Sequence, residues 1–393
     1  MTMGPPLRLL ELYSGIGGMH AAMKESGLNF EVVGSFEINT SALEVYRQNF
    51  PGTSKPRNIM GLTLNEMEQL SPNIIMMSPP CQPFTRQGLK RDVEDTRTSS
   101  FLHFLGLLEE VTTPPEMILL ENVAGFEVSQ ARERLIDVLG KRGYTWQEFL
   151  LSPTEVGVPN SRLRYYLLAK LKPSTFCFPR SPEISNELPL CLCCRSQEKV
   201  SSSEGICQDC NKPILPSLQC LLHRFHSSQN ADSLEASSSF RNIESSLSHY
   251  LEKGCNVELY LLGTKILQKY FMILDIVTSQ SKRSCCFTKG YAHYVEGTGS
   301  IVQHNTDISM PEIYSEVQSL PPDDPERVRL LQGLQLRYFT PQEVTRLMCF
   351  PSWFEFPPTV TKKQKYKVLG NSVNVLVITS LLLTLVESGQ VVQ

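Results

Sequence analysis

The sequence predicts an α/β protein built on a parallel sheet, and two observations support this prediction. Between residues 7 and 171, short and almost continuously apolar runs alternate with amphipathic stretches. Such runs are typical of strands that are buried on both faces, and parallel pairing requires a helix between successive strands. The glycine, cysteine and charged residues of interest follow directly after these runs, where sheets of this kind bind their ligands.

Five apolar runs are predicted to form the strands. They are Leu7–Tyr13, Phe30–Glu37, Asn73–Ser78, Glu116–Asn122 and Arg164–Leu171. The amphipathic stretches 41–50 and 99–111 predict helices between them.

Two further helices are predicted near the end of the sequence. Thr340 as N-cap, Pro341 at the first helical position and Glu343 predict a helix that begins with a capping box. The apolar run Val373–Val386 is shorter than the roughly 20 residues that a bilayer requires. It also contains Asn, Thr and Ser, so we expect a packed helix and no membrane contact.

The amino-acid composition changes between residue 171 and the helix predicted at Thr340. Pro, Ser and Cys dominate residues 172–248, and within them SSSEG (201–205) and ASSSF (236–240) predict linker or surface loop. Tyr270–Val302 has a β-type composition. We therefore predict that residues 1–178 form the first part of the main domain. Residues 179–335 then form a smaller inserted domain with a Ser/Cys-rich flexible segment, and residues 336–393 return to the main domain.

Composition limits the classes of protein to consider. The net charge of −3 gives no overall attraction to nucleic acid, so such a partner requires a local basic patch. No charged-then-apolar leader opens the sequence, and we expect a protein of the cytoplasm that is also found in the nucleus. There, the 12 cysteines would stay reduced, as thiols or metal ligands rather than disulfides.

A glycine-rich turn follows the first predicted strand, in ELYSGIGGMH (Glu11–His20). Glycines let the backbone approach a ligand, and the start of a helix offers N–H groups to it. Glu37 follows about twenty residues later, where a carboxylate suits a pair of ribose hydroxyls. A plain strand–helix connection has the same pattern, so both interpretations stay open at this point.

Cys81 follows Pro79 and Pro80 in SPPCQPFTRQG. A single cysteine is most often an inert core residue. Here the strand end, the two prolines and the polar, basic segment that follows favour a positioned nucleophile. A protease would need a catalytic histidine in an equally constrained setting, and none of the 7 histidines has one.

Three charged residues also lie at predicted strand ends. Glu121 in LLENV either caps the next helix or acts on a substrate, and the sequence leaves both open. Arg162 and Arg164 are two positions apart where a strand begins, so their side chains point to one face. Paired guanidinium groups suit a phosphate or a carbonyl oxygen.

In this order, these four stretches resemble the cytosine-5 methyltransferases that use S-adenosylmethionine. The resemblance continues in LRYFTPQEVTRLMCFP and LGNSVNV near the end. It implies a Rossmann-like S-adenosylmethionine-dependent methyltransferase fold with a smaller inserted target-recognition domain. The residues that it places at the cofactor are Gly15, Ile16 and Gly17 at the methionine moiety, Glu37 at the ribose, and Ile59 and Met60 at the adenine. It also places Ser78 and Ser372 beside the cofactor.

Three positions refine the resemblance. Met60 stands where an acid often contacts the adenine amine, and Cys349 stands where glycine is usual, which argues against a tight turn there. Asn160 stands where DNA-modifying members usually carry glutamine, and SCCFTKGYAHYVEGTGS (Ser284–Ser300) looks like the signature of one branch. That branch resembles DNA methyltransferases in sequence but methylates cytosine 38 in the anticodon loop of aspartate tRNA.

The resemblance also implies a mechanism. Addition of the Cys81 thiolate to carbon 6 of cytosine makes carbon 5 nucleophilic enough to take a methyl group. Glu121 bonds the N3 edge and the exocyclic amine, while Arg162 and Arg164 hold the O2 carbonyl. Loss of the proton at carbon 5 then expels the thiolate. The base must leave its stack, which costs least in a single-stranded loop.

Basic residues are expected to bind the tRNA. Arg86 and Arg97 bound a charged loop that could close over it, although a solvated surface would have the same composition. Lys289 lies in the inserted domain, which we expect to face the cleft. We expect a monomer with weak or no activity on duplex DNA.

Four cysteines form two C-x-x-C pairs: Cys191, Cys194, Cys207 and Cys210. This spacing is typical of a tetrahedral zinc site. The serine-rich surroundings suit a disordered insert equally well, so both interpretations stay open.

Two rival functions remain. A DNA cytosine-5 methyltransferase needs a sizeable recognition domain, but the insert is small and much of it is of low complexity. A catalytically silent nucleic-acid-binding protein should have lost Cys81, Glu121 or an arginine, yet all are present.

Overall fold

A computed structural model describes the protein over most of its length. The described residues are 5–52, 57–80, 98–192, 207, 210, 212–229, 245–321 and 324–387. Cys81, Arg86, Arg97 and Cys194, which the sequence predicts as site residues, lie outside these ranges.

A six-stranded sheet forms the centre of the fold. Its strands in chain order are β1 (Leu7–Leu12), β2 (Phe30–Phe36), β3 (Ile74–Met77), β4 (Met117–Val123), β5 (Tyr144–Leu151) and β6 (Arg164–Leu171). They lie in the order β2-β1-β3-β4-β6-β5. The first four run parallel, whereas β6 is antiparallel to both of its neighbours.

All five predicted strands are present, and their ends differ from the prediction by one residue at most. The prediction of a parallel sheet is wrong for β6. Because β6 runs the other way, its first residue, Arg164, lies opposite Val123 at the end of β4. The reversal therefore brings a residue that begins a strand to the edge where the parallel strands end.

Helices cover both faces of the sheet, as predicted. They are α1 (Gly18–Ser26), α2 (Thr40–Asn49), α3 (Leu64–Leu70), α4 (Ser99–Glu110) and α5 (Gln130–Lys141). Alternate strand residues point to opposite faces. Leu9 and Ile74 pack with α1 and α2, whereas Leu10 and Ile75 pack with α3, α4 and α5.

The last part of the chain returns to the sheet. Its helices are α10 (Pro341–Leu347), α11 (Lys362–Gly370) and α12 (Val375–Val386). The capping box of Thr340 and Glu343 is present, as predicted. The stretch Lys362–Val386 is long and apolar enough for a membrane span, but 83% of its most apolar window is buried. Helix α12 packs against α1, so it is a core helix, as expected.

The middle of the chain contains short elements. They are α6 (Pro216–Gln229), α7 (Thr264–Tyr270), β7 (Ile276–Val277), β8 (Ile301–Gln303), α8 (Met310–Ser319), α9 (Pro325–Gly333) and β9 (Leu336–Tyr338). The last three strands form a sheet of their own. The nine buried residues of a separate core lie here: Leu262, Leu267, Phe271, Ile301, Ile313, Val317, Leu331, Leu334 and Leu336.

One prediction for this region needs correction. The strands within Tyr270–Val302 are limited to β7 and the start of β8, because a 3-10 helix at 271–273 and turns occupy most of this stretch. The two segments predicted as linker or surface loop, 201–205 and 236–240, lie outside the described residues. In the part of 172–248 that the structure describes, Leu188, Leu192 and Leu218 are buried in the core that contains α12. The two boundaries between the three predicted segments stay predictions.

Candidate active site

A cavity of about 490 Å³ opens at the edge of the sheet where β1 to β4 end. Its volume lies within the roughly 300–1,000 Å³ that is usual for cofactor sites. Its lining includes ten of the residues that the sequence predicts: Gly15, Ile16, Glu37, Ile59, Met60, Ser78, Glu121, Arg162, Arg164 and Ser372. Residues from seven parts of the chain therefore meet at one cavity.

The glycine-rich turn adopts a backbone that favours glycine. Gly15 and Gly17 have φ angles of 54° and 88°, in the left-handed region that other residues rarely occupy. A Cβ atom on Gly17 would lie 2.3 Å from Cε2 of Phe50. Gly17 is absent from the cavity lining, so it shapes the turn, whereas Gly15 and Ile16 reach the cavity.

The carboxylate of Glu37 is fixed by backbone N–H groups. Oε2 accepts a hydrogen bond from Gly15 at 2.9 Å, and Oε1 accepts from Ile38 and Asn39 at 2.8 and 2.7 Å. These bonds tie the end of β2 to the glycine turn. A carboxylate oxygen has further lone pairs, so this arrangement leaves acceptors for a ribose. Nearby, Met60 lines the cavity with its side chain about half exposed.

The end of the chain packs directly on this turn. A Cβ atom on Gly18 would lie 2.6 Å from Cγ2 of Val373 and 3.2 Å from Oγ of Ser372. Cys349 has a φ angle of 58°, so the expectation that this position disfavours a tight turn is wrong. Nδ2 of Asn374 donates to its buried sulfur at 3.4 Å.

Glu121 is buried at the end of β4. Its Oε1 lies 3.5 Å from Nε of Arg164. Burial raises the pKa of Glu121 above its ordinary value, although Arg164, Arg162 and a hydrogen bond from Ser78 oppose this rise. A carboxyl group that keeps its proton can donate to a ring nitrogen and accept from an amine at the same time.

Arg162 and Arg164 have different surroundings. Arg162 is 3% exposed and donates to the backbone oxygens of Phe287 at 3.0 Å and Gly370 at 3.1 Å. It also donates to the backbone oxygen of Ser372. Arg162 therefore joins three segments of the chain, and Arg164 is the arginine that lies beside Glu121 at the cavity.

The sequence analysis missed Cys286, which contacts both arginines. Its Sγ lies 3.4 Å from Nη1 of Arg162 and 3.7 Å from Nη2 of Arg164. Burial raises the pKa of this thiol, but the two arginines outweigh that effect, and the pKa lies below its ordinary value. The signal in the sequence was a cysteine pair within the segment SCCFTKGY, which we used only as a branch signature.

The two branch features contact each other. The side chain of Asn160 is fully buried and donates to Oγ of Ser284 at 3.1 Å and to the backbone oxygen of Cys285 at 3.0 Å. Downstream, a Cβ atom on Gly370 would lie only 2.2 Å from the backbone nitrogen of Lys289. The segment 284–290 is thus fixed beside the cavity, with Lys289 exposed and outside the lining.

The three described cysteines of the predicted zinc site form a cluster elsewhere. The Sγ atoms of Cys191, Cys207 and Cys210 all lie within 4.8 Å of one another. None of the three lines the cavity.

Residues 7–387 match the family described as C-5 cytosine-specific DNA methylase. The chain belongs to this family. The resemblance seen in the sequence is therefore confirmed, together with its methyltransferase fold. Cytosine C-5 methylases use S-adenosylmethionine as cofactor. The glycine turn, the carboxylate of Glu37 and the size of the cavity fit this group.

Individual family members are similar along their whole length. A rat protein named tRNA (cytosine(38)-C(5))-methyltransferase is 44% identical over 393 residues, which cover 97% of this chain and 100% of the rat protein. A Dictyostelium discoideum protein named DNA (cytosine-5)-methyltransferase is 37% identical, with 98% and 95% covered. The crystal structure of a Spodoptera frugiperda DNMT2 mutant superposes with a TM-score of 0.77 at 40% identity, with 97% and 100% covered.

Proposed function

We propose that this C-5 methylase methylates cytosine 38 in the anticodon loop of tRNA, and that its substrate is aspartate tRNA. The observation that carries the proposal is the contact between Asn160 and the segment 284–290 beside the cavity. Both features distinguish the tRNA branch in the sequence. Arg162 connects this segment to the cavity, because it donates to the backbone oxygens of Phe287 in the segment and of Gly370 in the cavity lining. The 44% identity to the rat tRNA enzyme supports the same conclusion.

The cofactor would lie on the glycine turn. Gly15 and Ile16 would contact its methionine moiety, Glu37 its ribose, and Ile59 and Met60 its adenine. Ser78 and Ser372 also line the cavity and would lie beside the cofactor. When bound, S-adenosylmethionine supplies the methyl group.

The side chains of this protein prepare the cytosine to receive that group. The Cys81 thiolate adds to carbon 6, so that carbon 5 becomes an enamine carbon. Protonated Glu121 donates to N3 and accepts from the exocyclic amine, which keeps negative charge from building up in the ring. After methylation, removal of the proton from carbon 5 restores the double bond and expels the thiolate.

Arg164 and Cys286 set the electrostatics next to Glu121. Arg164 is the side chain best placed to donate to the O2 carbonyl, because it lies beside Glu121 and donates to one backbone oxygen, that of Leu163. Arg162 is held by three backbone oxygens. Cys286 lies against both guanidinium groups, and its lowered pKa favours a thiolate that offsets part of their charge. For Glu121 itself, burial is the largest effect, so its pKa stays raised although two arginines are near it.

A basic strip beside the cavity is the proposed platform for tRNA. Lys289 is exposed next to Gly370, the last residue of α11. The exposed lysines of that helix are Lys362, Lys363 and Lys367. Phosphate contacts of this kind give affinity without sequence specificity, and Arg86 and Arg97 would add to them from the loop after Cys81.

Other parts of the proposal concern the state of the protein. We place it in the cytoplasm and also in the nucleus, as a monomer that has little activity on duplex DNA. Duplex DNA must give up a stacked and paired base, whereas an anticodon loop presents single-stranded bases. Zinc binding is a separate proposal, since its ligands lie outside the cavity.

Methyl transfer to defined substrates tests the proposal. Tritiated S-adenosylmethionine is incubated with the protein and with aspartate tRNA, the same tRNA carrying uridine at position 38, or duplex DNA. We expect label only in the first reaction, and none with Cys81→Ala, which should still bind the cofactor. A tRNA with 5-fluorocytosine at the target should form a covalent complex, because fluorine cannot leave as a proton does. Equal labelling of the uridine-38 tRNA, or preferred labelling of DNA, would contradict the proposed substrate.

A further inference from the structure

We propose that Cys191, Cys207 and Cys210 bind a structural zinc ion that holds the inserted segment on the methyltransferase domain. Their Sγ atoms all lie within 4.8 Å of one another. In a tetrahedral site with Zn–S bonds of about 2.3 Å, two sulfurs are about 3.8 Å apart. The three thiols therefore need to move by only small amounts to surround one ion.

The backbone around the cluster presents the thiols towards one point. The N–H group of Cys191 donates to the oxygen of Pro213 at 2.8 Å, and that of Cys207 donates to the oxygen of Lys212 at 3.0 Å. The first bond pairs two segments that lie about twenty residues apart. The second joins residues on either side of Cys210, the partner of Cys207 in its C-x-x-C pair.

The burial of the cluster also favours a metal. Cys191 and Cys207 are fully buried, and among the described residues their small cluster also includes Cys210 and Ile214. Leu192 and Leu218 pack in the main core, so the ion would add to this packing by joining the three buried or half-buried thiols to one another. Thiolate ligands select zinc over hard cations such as magnesium or calcium.

The fourth ligand is assigned from the sequence. Cys194 forms a C-x-x-C pair with Cys191, in the same way that Cys207 pairs with Cys210. Four thiolates make a closed tetrahedral site, which is the arrangement of structural rather than catalytic zinc.

The ion would fix a helix to the outside of the catalytic domain. Gln219 in α6 donates to the backbone oxygen of Cys191 at 2.6 Å, so the cluster and the helix are joined directly. Arg224 of α6 donates to the backbone oxygen of Glu25 at 3.1 Å, and the buried His226 donates to that of Val156 at 2.8 Å. Loss of the ion should therefore loosen α6 while leaving the cavity intact.

Metal analysis tests the proposal directly. Full-length protein, purified with reductant and without chelator, should contain about one zinc per chain. Cys207→Ser and Cys194→Ser should each lose it. Cys220→Ser is the matched control, because Cys220 lies exposed on α6 and should retain the zinc.

Two measurements on the unmodified protein do not depend on how the variants fold. X-ray absorption at the zinc edge should show four sulfur neighbours at about 2.3 Å. After zinc is removed with a thiol-reactive mercurial and the mercurial is reversed with reductant, peptides with the amides of Cys191 and Cys207 should exchange hydrogen faster. Peptides of β3 and β4 should exchange as before.

Four results would overturn the proposal. The first three are the absence of zinc from the reduced protein, its retention in both cysteine variants, and a metal shell made mainly of nitrogen and oxygen. An intact mass lower by two hydrogens per cysteine pair would show disulfides instead of a metal site, which is also contrary to the proposal.

Discussion

Replacement of the two arginines by lysine, one at a time, should separate stability from catalysis. Lysine keeps the charge, but its compact ammonium group cannot reproduce the planar fork of arginine. Arg162 uses that fork to donate to the backbone oxygens of Phe287, Gly370 and Ser372. Arg164 instead lies beside a carboxyl group at the cavity, so the same substitution should have different consequences at the two positions.

The structure allows the size of each effect to be worked out. An ammonium group at position 162 can reach one of the three oxygens, which leaves two without this donor. At about 1–3 kcal/mol for each buried group left unsatisfied, and with water able to enter from the cavity, we expect Arg162→Lys to lose about 3 kcal/mol of unfolding free energy. At about 2 °C per kcal/mol for a large domain, Tm should fall by about 6 °C. Arg164→Lys should lose one charge-assisted hydrogen bond to the substrate. Such a bond contributes about 1.5–3 kcal/mol, so turnover should fall by about 10- to 100-fold.

Three assays distinguish the two effects. Thermal melting, S-adenosylmethionine binding by calorimetry and single-turnover methylation of tRNA are measured for both variants. Arg162→Lys should show the lower Tm together with weaker cofactor binding, because Gly370 and Ser372 line the cavity. Arg164→Lys should keep its Tm and its cofactor affinity. If Arg162→Lys melts like the parent and loses only turnover, Arg162 acts on the base and our interpretation of its hydrogen bonds is wrong.

Three further predictions concern the acid, the tRNA platform and the packing of the inserted segment. Because burial raises the pKa of Glu121 and the proton is needed, turnover should fall as pH rises through that raised pKa. Glu121→Gln should remove this limb of the pH–rate profile and lower turnover by about two to four orders of magnitude; an unchanged rate would leave Glu121 as a helix cap. Lys289→Glu should weaken tRNA binding at least tenfold, about 1.4 kcal/mol, in filter binding at physiological salt, with unchanged cofactor affinity. Lys172→Glu, the same change at the opposite edge of the sheet, is its control, and equal affinities for both would exclude the platform. Gly370→Ala should lower Tm, since its Cβ atom would meet the backbone of Thr288 and Lys289 at 2.2 Å; a normal melt with full activity would contradict this packing.

The sequence predicts those parts of the fold that depend on neighbouring residues. Buried strands require continuous apolar runs, and the capping box of Thr340 depends on residues within one helical turn. Strand β5 was missed because Gln147 and Glu148 interrupt its pattern although both are buried. Their partners are distant in sequence, since Arg132 forms an ion pair with Glu148 at 2.6 Å, and Gln147 accepts from the N–H group of Ser181.

The candidate site shows the same limit. Glycines, prolines and strand-end acids can be recognised because their function depends on the local backbone. The role of Cys286 cannot, because the arginines that lower its pKa are more than a hundred residues away. The direction of β6 is also not encoded in its own apolar run, which would suit either orientation.

The reversal of β6 explains why the site can combine a common reaction with a particular substrate. It brings Arg164 to the end of β4, beside Glu121, so the groups that act on a cytosine ring belong to the sheet itself. Asn160 lies two residues before Arg162. Its side chain bonds to the segment 284–290 of the insert. A change of substrate can therefore arise through Asn160 and the segment that it binds, while the positions of Glu121 and Arg164 stay fixed by strand pairing. For this reason we expect tRNA selection and base chemistry to be separable by mutation in this protein.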